Sequence, residues 1–206
     1  MKTRQRDDRQ ILLTFLLVVG LVAVFACPPA WAGKGNGSGL AALDETEVAM
    51  LNYMREEEKL ARDVYLVMID SWETQPFINV AVSEQQHMDT MKSKLDKYGL
   101  PDPASIYEGI FNNLDLQDKY DELVAIGSKT LVDGFYVGAT IEEIDMVDIQ
   151  HAIDVTDNVD VVVAYQNLLE GSKSHLRAYV NALAGQGVTY APQYISQELF
   201  DAIMGL

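Results

Sequence analysis

The chain of 206 residues carries 31 acidic side chains against 15 basic ones, a net charge of -16, with 49% hydrophobic residues and one cysteine, Cys27. So acidic a chain is a poor match for nucleic acid or an anionic membrane surface and is compatible with attracting cations. One cysteine excludes an internal disulfide, and its loss with a leader excludes thiolate catalysis and Cys-ligated zinc or iron-sulfur sites as well.

Residues 1–10 are basic on balance, and Ile11 to Ala26 is an apolar run followed by Cys27-Pro28-Pro29-Ala30-Trp31-Ala32, which closes on Ala-x-Ala. This order predicts a signal peptide over 1–32, cleaved after Ala32, and a periplasmic or extracellular protein free of the membrane. The run falls short of the ~20 residues that a spanning helix needs. An uncleaved anchor and lipid attachment at Cys27 are the rival readings. Gly33-Lys34-Gly35-Asn36-Gly37-Ser38-Gly39 predicts a flexible linker over 33–43, and 44–206 is long enough for one domain with a sizeable core.

Asp44 with Glu47 three residues on predicts a helix start of the capping-box kind, and no Pro or Gly interrupts the chain before about Asp70. Its apolar stripe runs Leu51, Met54, Glu58, Ala61, Tyr65, Met68, with Glu58 inside it and Glu56 and Glu57 expected to be solvated. Trp72 to Pro76 reads as a turn. A second helix is predicted from Phe77 to Tyr98, ended by Gly99-Leu100-Pro101-Asp102-Pro103. Its stripe is Val80, Glu84, His87, Met91, Leu95. At about 100° per residue, Glu84 and His87 project within about 60° of each other, one turn apart. They can reach one ion together.

A long connection with a short helix near Gln117–Ile126 leads to a third long helix over Thr130 to Ile153, where Glu142 and Asp145 fall on the inner stripe. A fourth helix, from Thr156 or Asp157 to Ala184, places Ser172 and His175 there. A last short helix from Ser196 offers Leu199, Phe200 and Ile203 to cap one end of the core. The prediction is all-α: a four-helix bundle with a long crossover between its second and third long helices and a short C-terminal helix.

Each long helix thus brings a metal-type ligand to the middle of its apolar stripe: Glu58, then Glu84 and His87, then Glu142 and Asp145, then His175. Four carboxylates carry about -4 and two divalent ions about +4, so a two-metal cluster is neutral, and this donor mixture suits iron, manganese or zinc. The competing expectation is that these acids pair with one another, with Arg62 or with Lys173. Tyr65 is a candidate to orient a ligand. His151 is turned about 180° from Glu142, hence expected on the surface, and Asp154, Asp157 and Asp160 lack the spacing of an EF-hand loop.

Glu58-Lys59-Leu60-Ala61-Arg62-Asp63-Val64-Tyr65 resembles the first-helix motif of rubrerythrin-like members of the ferritin-like superfamily; Glu84-Gln85-Gln86-His87 is similar to their second-helix ligand pair, and Glu142 with Asp145 to their third-helix acids. Over about residues 45–205, including Gly171-Ser172-Lys173-Ser174-His175-Leu176-Arg177-Ala178-Tyr179, the chain resembles the exported ferritin-like family labelled domain of unknown function 2202. The resemblance implies a ferritin-like bundle in which Glu58 bridges two irons. It fails at Ser172, where di-iron relatives usually carry Glu; Asp145 could supply that carboxylate, and without it the second metal would be weakly held or the site mononuclear.

Three functions follow as expectations. One is a di-iron oxidoreductase acting on dioxygen or peroxide, drawing electrons from a separate donor because no cysteines remain for a rubredoxin module, or from the iron itself. The second is a protein that sequesters or buffers metal without turnover, and the third is a structural helical module. A homodimer is compatible with each.

Overall fold

The computed structural model describes residues 42–206, so the expected signal peptide and most of the linker lie outside the described residues. Six helices follow in order: α1 (Glu45–Trp72), α2 (Gln75–Tyr98), α3 (Leu114–Gly127), α4 (Leu131–Val155), α5 (Val159–Gly185) and α6 (Gln197–Met204). No strand occurs among the described residues, and no helix among them is long and apolar enough to cross a membrane. The all-helical bundle expected from the periodicity is the fold observed.

Local chemistry sets most boundaries. Asp44 caps α1 as expected: its side chain accepts from Glu47 N at 2.8 Å, and the Glu47 carboxylate accepts from Asp44 N at 2.8 Å. The turn is shorter than predicted because Pro76 sits inside the first turn of α2, where its missing N–H costs nothing. α3 starts earlier than Gln117 because Asn113 caps it, accepting from Asp115 N and Leu116 N. Asn158 sets the start of α5 in the same way.

Two-residue and three-residue connections make α1–α2 and α4–α5 helical hairpins, and α1 packs on α4 while α2 packs on α5. The apolar core is divided in two. One cluster includes Val64, Tyr65, Met68, Phe77, Phe135 and Tyr179; the other holds Leu51, Met54, Met91, Leu95, Ile149 and Leu168. Each fully buried side chain of this size contributes about 1.5–3 kcal/mol. Between the two clusters, at the level where the four stripes carry acids and imidazoles, lies a polar layer.

Two expectations are corrected. Glu56 and Glu57 are buried, because the crossover and α3 cover that side of α1. Glu56 Oε1 accepts from Asn112 N at 2.8 Å, and Asp63 Oδ2 accepts from Gly109 N at 2.9 Å while pairing with the buried Lys59, whose ammonium lies 4.3 Å from the centre of the Phe111 ring. Of the three α6 residues expected in the core, Phe200 and Ile203 are buried but Leu199 is 41% exposed.

Glu143 is fully buried and organises the C-terminal segment. It accepts from Tyr190 Oη at 2.7 Å and from the backbone N–H groups of Gln193, Tyr194 and Ile195 at 2.8, 2.6 and 3.1 Å. Leaving such donors unpaired costs about 1–3 kcal/mol each where they stay buried. Glu143→Ala is therefore expected to lower stability by about 3 kcal/mol or more in urea unfolding, with amide exchange accelerating first over 190–196. A change under about 1 kcal/mol would show that water readily replaces the carboxylate.

Candidate metal centre

Glu84 stands at the centre of the polar layer. Its Oε2 lies 2.8 Å from His87 Nδ1 and its Oε1 lies 2.8 Å from His175 Nδ1, so one carboxylate spans two imidazoles from two helices. Glu58 Oε2 lies 3.2 Å from His87 Nδ1, and Glu142 Oε2 lies 3.3 Å from His175 Nδ1. The two rings are 5.4 Å apart. Glu84, His87 and His175 each offer a ligand atom within 4.8 Å of the other two. Glu58, Glu142 and Asp145 face this trio from α1 and α4. The carboxylate placed between the two imidazoles is thus Glu84, whereas Glu58 reaches His87 and Glu142 reaches His175.

The surroundings orient these groups. Tyr65 Oη donates to Glu142 Oε1 at 2.5 Å. Ser83 Oγ lies 2.8 Å from His175 Nε2, a contact that holds the ring with Nδ1 turned to the carboxylates. Ser172 Oγ lies 2.5 Å from Asp145 Oδ2 and 3.0 Å from Leu168 O. Arg62 pairs instead with Asp63 and Gln85, and Lys173 with Glu170, so the basic partners considered for the inner acids are engaged elsewhere. His151 is exposed, as expected.

Close packing leaves no room for larger side chains at two glycines. A Cβ on Gly171 would lie 2.5 Å from His87 Nε2, and one on Gly138 would lie 2.6 Å from the Tyr179 ring. Sequence reasoning missed both Ser83 and Gly171. The signal for Gly171 was a glycine inside a long helix, which costs about 1 kcal/mol against Ala unless close approach requires it.

Electrostatics shows what the layer lacks. Burial alone would lower both imidazoles, but Glu58 and Glu84 push His87 up to about 12, and Glu142 and Glu84 push His175 up to about 10. Burial raises Glu58 to about 8 against the opposing pull of His87. Burial also raises Asp145 well above the usual carboxylate range, reinforced by Glu58, Glu57, Glu142 and Glu84. Only Glu84 goes the other way, because His175 and His87 outweigh its burial. The protein without metal therefore holds several protons in this layer. Glu58 Oε1 and Asp145 Oδ1 are nevertheless buried with no hydrogen-bond partner. Orphaned carboxylate oxygens beside paired imidazoles are what a cation would satisfy, and the mixed oxygen and nitrogen donors fit iron, manganese or zinc.

The fold and this layer define an all-helical bundle with a buried glutamate–histidine cluster that could hold metal. Residues 47–205 match the family described as uncharacterized protein domain DUF2202, and the chain belongs to that family. It is similar to the uncharacterized protein MJ0754 of Methanocaldococcus jannaschii, 47% identical over 163 residues that cover 79% of this chain and 88% of that protein. It is also similar to the crystal structure of hypothetical protein MJ0754 from Methanococcus jannaschii, with a TM-score of 0.80 and 44% identity over 83% of this chain and 98% of that one.

Two outcomes follow. Gly171→Ala is expected to displace the His87 ring and weaken divalent-metal binding at least about tenfold, even though Ala adds about 1 kcal/mol of helix propensity. Calorimetric titration beside thermal unfolding separates the two effects, and unchanged affinity would refute the cradle. Metal binding must also expel the Nδ1 protons. Affinity is therefore expected to climb as pH rises from about 6 to 9, with protons released on loading, as titrations in buffers of different ionisation enthalpy would show.

Proposed function

We propose that this protein is an exported, ferritin-like metalloprotein that binds two divalent ions, most simply iron, and reduces dioxygen or peroxide with electrons from a separate donor. The observation that carries this reading is Glu84, whose two oxygens face the Nδ1 atoms of His87 and His175 at equal 2.8 Å distances. Glu58 and His87 would hold one ion, Glu142 and His175 the other, with Glu84 shared and Asp145 completing the charge. A bound iron pair supplies two electrons, the number that hydrogen peroxide needs, together with two protons, to become two waters.

The chain's own residues set the conditions for that chemistry. The apolar clusters on either side enclose the layer in a low-polarity surrounding, which strengthens every charge interaction within it. Tyr65, its phenol pushed well up by burial and by Glu142, stays protonated and holds its hydrogen against Glu142 Oε1. Small molecules have one favoured approach. His87 and His175 are 9% and 7% exposed, whereas Glu58, Glu84, Glu142 and Asp145 are 4% exposed or less, so the seam between α2 and α5 is the more open side.

Elemental analysis of the protein, purified anaerobically without nickel affinity resin, tests the reading beside Glu84→Ala/His87→Ala. Two irons per chain, lost in the double variant, are expected, followed by rapid oxidation on mixing with peroxide or dioxygen. Stable binding of zinc with no redox response would reduce the function to metal sequestration. No metal in either protein, at unchanged thermal stability, would leave a helical structural module.

A further inference from the structure

The two hairpins present their ligands in matching ways. Glu58 of α1 faces His87 of α2 at 3.2 Å, and Glu142 of α4 faces His175 of α5 at 3.3 Å. Glu84 precedes His87 by three residues, and Ser172 precedes His175 by three. The counterpart of Glu84 is therefore Ser172, a fully buried side chain too short to reach either imidazole.

A second departure lies on the neighbouring helix. Three residues after Glu142 stands Asp145, buried, where the matching position on α1, three after Glu58, is Ala61, which has no polar side-chain atom. The two departures touch, Ser172 Oγ lying 2.5 Å from Asp145 Oδ2. The other oxygen of that carboxylate, Oδ1, is buried without a partner. The charged groups that act most strongly on Asp145 are Glu58, Glu57, Glu142 and Glu84, all acids. Among acids and without a cation this carboxyl keeps a proton, and a cation in its place is what would let it ionise.

We infer that Asp145 and Ser172 act together as a split ligand: Asp145 brings from α4 the second carboxylate shared by the two cations, and Ser172 holds it in the place that α5 leaves vacant. The inference rests on the two-metal reading. Asp145 touches metal; Ser172 acts through Asp145 and is a positioning residue. With Asp145 the four carboxylates balance two divalent charges, and without it the layer keeps one positive charge unmatched.

Manganous ion is the probe, titrated into metal-free protein and counted by electron paramagnetic resonance and elemental analysis. The wild-type chain is expected to bind two ions. Asp145→Asn, close to isosteric, should keep one tight ion and weaken the second by about 100-fold. Ser172→Ala should weaken the second about tenfold with stoichiometry unchanged at saturation, the 10–100-fold span being that of lost orienting partners. The exchanged pair, Asp145→Ser with Ser172→Glu, should restore the second ion to within about tenfold of wild type, a rescue that a purely structural serine–aspartate bond would not give. Asp145→Asn binding two ions as tightly as wild type overturns the inference, and so does an exchanged pair that folds normally yet behaves like Asp145→Asn. If the exchanged pair does not fold, the two single variants still decide. Fewer than two ions on the wild-type chain would instead overturn the two-metal reading itself.

Discussion

Four carboxylates buried in the middle of a helical bundle are the constraint on which the rest of the structure depends. Glu58, Glu84, Glu142 and Asp145 sit where Leu or Ile would otherwise fill the stripe, and moving even one ion out of water costs several kcal/mol. Two imidazoles offset part of that cost through contacts of 2.8 to 3.3 Å. The apolar clusters above and below offset the remainder.

Two residues around this layer give up helix propensity for proximity. Gly171 lets α5 lie against the His87 ring, and Gly138 lets α4 lie against Tyr179, whose ring is 5.3 Å from that of Tyr65. Tyr65 in turn reaches Glu142. Ligand position on one hairpin is therefore set by the backbone of the other. Orientation is delivered by small residues and phenols rather than by additional charge, which keeps the balance between carboxylates and cations intact.

The fold was largely legible in the sequence, because the 3.6-residue period of four long segments survives even where polar residues interrupt it. Glu84 and His87 were readable for that reason: they occupy stripe positions between Val80 and Met91. The period says which face turns inward, however, and nothing about what covers the other faces. Glu56, Glu57 and Glu143 looked solvated or went unremarked, yet all three are buried. Their partners are backbone N–H groups of the crossover and the C-terminal segment, or a tyrosine hydroxyl, and no side-chain pattern encodes those. The leader lies outside the described residues, and its reading stands on the sequence alone.

The stretch from Arg55 to Asp63 shows how far one helix can be divided among tasks. Arg55 pairs with Asp102 at 2.9 Å, Glu56 holds Asn112, and Lys59 with Asp63 holds Gly109, so these residues bind the crossover. Glu57 faces Tyr53 and Lys119, and burial with the nearby Asp148 raises it well above the usual range. Only Glu58 faces the cluster. A helix turned by 100° between neighbours can serve three surroundings at once, provided each is closed by its own partners. The crossover is thus more than a connection: its backbone N–H groups and Asp102 engage Arg55, Glu56 and Asp63 on the outer side of α1, while Glu58, on the opposite side, keeps an unfilled oxygen beside His87 at the centre of the bundle.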